Sequence, residues 1–338
     1  MQNLAEKVLG GPIRTPEPLP GGGSNRGFFR IRRTAGPPGR PESVVAVVGD
    51  NKKENAALLG FTQHFSAQGL PVPTIYGGNQ KTGVYIMEDL GDSTLADQLT
   101  LWRTHSSGGQ AALAALTQVV EWLPRFQVLG GRGIDYRLCY EGREMDGFVY
   151  ETDIERFLLV YVKRLVPQLT PSDRVIADMD HLVLRLDTVP RHFFCYRDFQ
   201  TRNIMWRDGP VFLDYQSGRL GALQYDLASF LYSPDTGLTE PERNKLIDVY
   251  LRALAQTGAE VNRISFLADF HLFVLVRRLQ ALGAYAALSK TRSPDYLNKI
   301  PPALADLRNL QKVGKLSLGM PALEAWLRQL FATLPGRG

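Results

Sequence analysis

Two apolar runs in the stretch FFCYRDFQTRNIMWRDGPVFLDYQSG (193–218) each give way to charged residues. Asp198 and Asn203 follow the first run, and Asp214 closes the second. One carboxylate can orient a hydroxyl and take its proton. An Asn and a second Asp make an oxygen donor pair for Mg²⁺, which keeps several waters and takes only one or two carboxylates. Phosphoryl transfer asks little more of a protein than this. Asp-x₄-Asn is common by chance, however, and charged residues capping strand ends are the plain alternative. The surrounding elements must decide.

Residues 1–10 carry the pattern of a short amphipathic helix. GGGSNRGF (21–28) is a Gly-rich turn leading into a strand over 27–33. Glycines let backbone approach a phosphate closely, and free N–H groups in such a turn bind anions. The turn matches neither a Walker A motif nor a dinucleotide fingerprint, and alone it reads equally as a linker. SVVAVV (43–48) is a buried-strand pattern, and Leu58, Phe61 and Phe65 recur at helical spacing within 52–68. VPTIYG and TGVYIMEDLG supply two more strands, the second ending at Glu88-Asp89. Beyond Gly91, helical periodicity runs through 110–128, 150–168, 172–187, 239–257, 261–289, 301–313 and 320–333, interrupted by short strands at 193–196 and 211–214. A sheet-rich front over 1–90 and a helical remainder over 91–338 predict an α+β protein of two unequal lobes, hinged near 88–91.

The bulk numbers narrow the classes. At 338 residues with 44% apolar and 22% charged side chains, the chain is globular and long for one core. Its +5 net charge is scattered among 34 acids, which fits an anionic small ligand better than nucleic acid, and no nucleic-acid partner is expected. Cys139 and Cys195 form no disulfide framework or zinc motif, and the five histidines are dispersed. Cys195 reads as a small core residue. Glu6 and Lys7 interrupt any signal-peptide core, and no window reads as a spanning helix. A cytoplasmic monomer with no membrane partner is expected.

On these residues the sequence resembles a known family. YRDFQTRN (196–203) is similar to the catalytic loop His-x-Asp-x₄-Asn of the protein-kinase-like fold, and LDYQSG (213–218) takes the place of its Asp-Phe-Gly. QYDLASFLY (224–232) is similar to the segment that follows this site in aminoglycoside and choline phosphotransferases. Within that family the resemblance is closest to the bacterial anomeric N-acetylmuramate/N-acetylglucosamine 1-kinases, through SNRGFFRI, KKENAAL, GLPVPTIY, MEDLGDSTL and RRLQALGAY as well. These segments run in order from about residue 20 to 285.

The resemblance implies a small sheet-rich N-lobe and a larger helical C-lobe, with ATP and Mg²⁺ as cofactors. It makes Asp198 the catalytic base and Asn203 and Asp214 the metal ligands. Ser24, Asn25 and Arg26 would cover the phosphates, and backbone from Glu88 to Leu90 would hold the adenine. Arg202 would reach the transferring phosphoryl group or the substrate. Glu54 stands where kinases carry the ion-pairing glutamate of the front-lobe helix. Two positions depart from the pattern: Tyr196 replaces the histidine, and VVAVV lacks the phosphate-gripping lysine. Arg26 or Arg30 is the candidate substitute. Gln200 and Gln216 either read sugar hydroxyls or brace their loops, Asp226 either contacts substrate or sits at a helix start, and Arg277 or Arg278 either binds a substrate anion or forms an ion pair.

The implied activity is ATP-dependent phosphorylation of the anomeric hydroxyl of an amino sugar, as in cell-wall sugar recycling. The alternatives are a kinase for another small alcohol (an aminoglycoside, choline or homoserine) and a nucleotide-binding regulatory pseudokinase.

Overall fold

The structure, a computed structural model, describes residues 1–20, 26–79, 82–105 and 108–333. Ser24 and Asn25 therefore lie outside the described residues. The chain folds as two compact units: 1–143 with 196–219, and 144–195 with 220–338.

The first unit begins with α1 (Gln2–Leu9), β1 (Glu17–Leu19), β2 (Gly27–Arg32), β3 (Ser43–Val48), α2 (Lys52–Ala67), β4 (Ile75–Asn79) and β5 (Val84–Glu88). The five strands form one antiparallel sheet in the order β1-β2-β3-β5-β4. After Ser43 the strand β3 is apolar throughout because it is central and has no wet face: Val44, Val45, Ala46 and Val47 are all buried. Val44, Ala46, Ile31 and Ile86 pack beneath Ala5, Val8 and Leu9 of α1. Asn51 caps α2 by accepting the Glu54 N–H, and α2 buries Leu58, Phe61 and Phe65, the stripe its spacing predicted. Gly83 adopts φ +66°, and a Cβ there would lie 2.1 Å from the Gly49 carbonyl oxygen, so the β3 and β5 ends can meet only over a glycine.

After the sheet come α3 (Leu95–Arg103), which helical periodicity did not single out, and α4 (Gly108–Pro124). Pro124 cannot continue an α-helical ladder, and the chain passes into a π-helical turn over Arg125–Leu129 that buries Phe126.

The second unit holds α5 (Gly147–Phe157), which runs through a π turn at Leu158–Val162 into α6 (Lys163–Leu165), then α7 (Asp173–Asp187) and the short strand β6 (Phe193–Cys195). The chain then returns to the first unit for β7 (Ile204–Trp206) and β8 (Pro210–Phe212), an antiparallel pair. It completes the second unit with α8 (Leu223–Leu231), α9 (Glu240–Gln256), α10 (Arg263–Thr291), α11 (Ile300–Lys312) and α12 (Pro321–Ala332). Contrary to the expectation from sequence, α10 is long and apolar enough to cross a bilayer on length and composition alone. It packs against α5, α8 and α11, and its buried residues include Asp269 and Arg278.

One ion cluster locks the end of β5. Arg30 on β2 donates from Nε and Nη2 to both carboxylate oxygens of Asp89 (2.8 and 2.9 Å), from Nη1 to Asp92 (2.6 Å) and from Nη2 also to the Gly91 carbonyl. Burial works to raise the Asp89 carboxyl, but Arg30, Ser43 and the Gly91 N–H together hold it below its ordinary value. The pair therefore contributes stability above the ordinary carboxylate range and loses it as pH falls through the lowered value. Asp89→Asn would leave buried Arg30 with only the exposed Asp92 as a charged partner. It should lower unfolding stability in urea by about 3 kcal/mol at neutral pH and flatten the acid side of the stability profile.

Candidate active site

A cluster of interlocked rings sets the positions of the charged residues. Phe126 on the π turn meets Tyr196 and Phe212 edge-on, with ring centres 5.8 and 4.9 Å apart. Phe65 of α2 meets Tyr215 at 5.1 Å, and Tyr215 meets Tyr196 at 5.8 Å. Each edge-to-face pair adds about 1 kcal/mol beyond burial. Tyr215 also shares a hydrogen bond with Thr62 of α2 at 2.5 Å. Asp214 stands directly before Tyr215, and Asp198 two residues after Tyr196, so packing of apolar bodies fixes both carboxylates.

The two loops are also bonded to each other. The Tyr196 hydroxyl donates to the Leu213 carbonyl, the residue before Asp214. Leu213 N–H donates to the Asn203 carbonyl (2.9 Å), and Asn203 Nδ2 donates to the Asp198 carbonyl (2.8 Å) and to Asp214 Oδ2 (3.2 Å). Tyr196 thus does by hydrogen bond and by packing what a bracing residue must do in place of histidine. The backbone is strained at both loops: Arg197 has φ +70° and Asp214 φ +67°, a region that costs a residue with a Cβ about 1–2 kcal/mol. At Arg197 the strain accompanies a tight turn in which Asp198 N–H donates to the Tyr196 carbonyl. The turn is anchored by ion pairs of Arg197 and Arg219 with Glu141.

The carboxylates have distinct surroundings. Asp198 accepts from Ser217 Oγ at 2.9 Å and from Gln200 Nε2 at 3.4 Å. Asp214 Oδ1 accepts from Gln216 Nε2 (2.8 Å) and from Arg26 Nη2 (3.0 Å). Arg26 lies at the start of β2 and also pairs through Nε with Glu54 of α2 at 3.4 Å. Its side chain is only 7% exposed. Burial acts to lower this guanidinium, but Tyr85, Asp214 and Glu54 hold it above its ordinary value.

The structure thus brings together Arg26, Glu54, Asp198, Gln200, Asn203, Asp214 and Gln216. Arg202 is exposed on the 3₁₀ turn at Thr201–Asn203, one residue before Asn203. Arg30 is not part of the group, being committed to Asp89 and Asp92, so of the two candidate arginines only Arg26 meets Glu54 and Asp214. Glu88 and Leu90 flank Asp89, where the Glu88 side chain faces Arg207 and Leu90 is buried. Asp226 is fully buried within α8 of the second unit, and Cys195 Sγ lies 3.7 Å from its Oδ1. Arg278 is also buried in the second unit, on α10. Ser217 and Glu141 escaped the sequence reading. A hydroxyl three residues past Asp214 was visible as such, but the pairing of Glu141 with Arg197 spans 56 positions and leaves no local pattern.

Residues 15–267 match the phosphotransferase enzyme family. The chain belongs to that family. This phosphotransferase is 24% identical over 274 residues to the N-acetylmuramate/N-acetylglucosamine kinase of Caulobacter vibrioides, covering 75% of its own length and 72% of the relative's. In fold it is similar to choline kinase from Cryptosporidium parvum, with a TM-score of 0.62, 15% identity and coverage of 96% of this chain and 94% of that one. It is likewise similar to the aminoglycoside phosphotransferase of a streptomycin–ATP ternary complex, with a TM-score of 0.52, 12% identity and coverage of 83% and 90%. The phosphotransferase accordingly has the two-lobe, protein-kinase-like α+β fold.

The donor set fits a hard divalent cation. Asp214 and Glu54 share the buried guanidinium of Arg26, and Asn203 ties the Asp214 carboxylate to the backbone of Asp198. With Nδ2 of Asn203 committed to two oxygens, its Oδ1 is the atom left for a metal. Among the described residues no group of three His, Cys, Asp or Glu side chains forms a metal cage, as suits an ion held partly by water and phosphate oxygens. Tyr196→Phe keeps the ring packing, removes one hydrogen bond and orphans the Leu213 carbonyl. It should lower stability by about 1–2 kcal/mol in urea unfolding.

Proposed function

We propose that this phosphotransferase transfers the γ-phosphoryl group of ATP to the anomeric hydroxyl of an amino sugar, such as N-acetylmuramate or N-acetylglucosamine, in the recycling of cell-wall sugars. The observation that carries this reading is the bonded trio of Asp198, Asn203 and Asp214 with Arg26 and Glu54 beside it. Similarity to the Caulobacter kinase supports the choice of substrate. On this reading residues 1–90 serve the nucleotide and 91–338 the sugar. The protein works in the cytoplasm, where ATP is supplied, and needs no partner subunit.

Asp198 orients the C1 hydroxyl and accepts its proton as the oxygen attacks the γ-phosphorus and the bond to ADP breaks. A hemiacetal hydroxyl is more acidic than a simple alcohol, so a carboxylate serves as base late in the step. Ser217 and Gln200 hold the Asp198 carboxylate in position. Asn203 and Asp214 would hold Mg²⁺, which would offset charge on the phosphates. Arg26, tethered by Glu54, takes the role of the missing lysine toward the phosphates, and Arg202 offsets charge on the transferring group. Gln216 braces Asp214. Ser24, Asn25 and the backbone of Glu88–Leu90 complete the nucleotide contacts.

The test is ATP turnover on a panel of N-acetylmuramate, N-acetylglucosamine, glucosamine, choline, homoserine and kanamycin, with the product identified by NMR. An α-sugar 1-phosphate supports the reading. Phosphorylated choline, homoserine or kanamycin would move the enzyme to another substrate class, and nucleotide binding without turnover would make it a regulatory protein. Asp198→Asn should lower kcat by roughly 10²–10⁴-fold. Arg26→Ala should raise KM for ATP by roughly tenfold or more, as expected for loss of a charge-assisted hydrogen bond. Asp214→Ala should stay folded and lose most Mg²⁺-dependent turnover.

A further inference from the structure

The neighbouring arginines Arg277 and Arg278 on α10 have different surroundings. Arg277 donates to the Tyr225 hydroxyl (2.7 Å), Ser229 Oγ (3.1 Å) and Gln280 Oε1 (3.1 Å), and its guanidinium lies over the Tyr225 ring. Arg278 is 4% exposed, and its Nε and Nη1 are buried with no hydrogen-bond partner. A buried lysine or histidine in this position could shed its proton; an arginine stays charged and must find an anion.

The protein offers little. The carboxylate that acts on Arg278 is Asp306 of α11, against the like charges of Arg277 and Arg243. Asp306 is already engaged: Arg243 Nη2 holds its Oδ1 at 2.9 Å, in a pair with side chains 12% and 17% exposed. Glu240, the next acid in the group, is divided between Arg243 and Lys315. Among the described residues, Arg243, Arg278 and Lys315 thus draw on the two carboxylates of Asp306 and Glu240. His271 adds no further positive charge, because burial and Lys315 hold it neutral, with its pKa down at about 4. A buried guanidinium with unmet donors and only a shared carboxylate is strongly unfavourable unless an ion completes it.

We propose that Arg278 is the base of an oxyanion-binding site in the second unit, closed in by Arg277, Arg243 and Tyr285. Its ligand is a compact carboxylate or phosphate, either the acid group of an organic ligand or the free inorganic anion. The site is independent of the reaction assigned above and draws on none of its residues.

The experiment follows thermal unfolding of the wild type and of Arg278→Met, an apolar replacement of similar length. Each is titrated with inorganic phosphate or D-lactate against sodium chloride at matched ionic strength. The wild type should show a saturable rise in Tm, roughly 5 °C at a hundredfold excess over Kd. Arg278→Met should match or exceed the wild-type Tm in chloride and lose the response. A response to phosphate alone assigns the free anion; a response to lactate assigns the acid group of an organic ligand. The proposal fails if no oxyanion acts differently from chloride, or if Arg278→Met keeps the full response, which would then belong to another site. If the variant does not fold, calorimetric titration of the wild type with the same anions decides the matter, and absence of binding by phosphate and lactate overturns the proposal.

Discussion

One buried guanidinium bridges two carboxylates, and the charged residues around Asp214 are arranged on that bridge. Arg26 reaches Glu54 on one side and Asp214 on the other, and both acids belong to elements distant in sequence. The resulting bridge ties the start of β2 to α2 and to the Asp214 loop. The bridge holds the carboxylate of Asp214 beside the side chain of Asn203, hard oxygen donors of the kind a divalent cation takes.

Holding like charges near one another needs a rigid mount, and the aromatic cluster provides it. Phe65, Phe126, Tyr196, Phe212 and Tyr215 are buried rings whose packing is indifferent to the charges they carry along the backbone. That rigidity explains how two residues with a Cβ, Arg197 and Asp214, persist at positive φ. Strain of this kind survives only where the surroundings over-determine the backbone, and it aims the side chains on either side of it.

Much of this was legible from residue order. Local patterns announced β2, β3, β5 and α2, and the spacing of Asp198, Asn203 and Asp214 marked the loop pair, because each depends on neighbours in sequence. What sequence left open was long-range. Arg26 and Arg30 are equivalent as letters; only the fold sends Arg30 to Asp89, 59 positions away, and Arg26 to Asp214, 188 positions away. Gln216 donates to Asp214 and reaches Glu54, 162 positions away, a placement that residue order does not state. Helix α3 went unseen because only Leu95 and Leu99 are buried along it, too few for a clear stripe. The apolar character of α10 came from burial among helices, a circumstance that hydropathy cannot distinguish from lipid.

The route of the chain carries a consequence for synthesis. It passes from one compact unit to the other at 143/144, 195/196 and 219/220. The first unit therefore cannot finish its core when its long N-terminal segment leaves the ribosome, because Tyr196, Phe212 and Tyr215 have yet to be made. Phe65 and Phe126 wait with their apolar faces uncovered while the intervening 52 residues of the second unit, 144–195, are added. During that interval the nascent chain is a client for chaperones, and no single cut can release either unit as a whole.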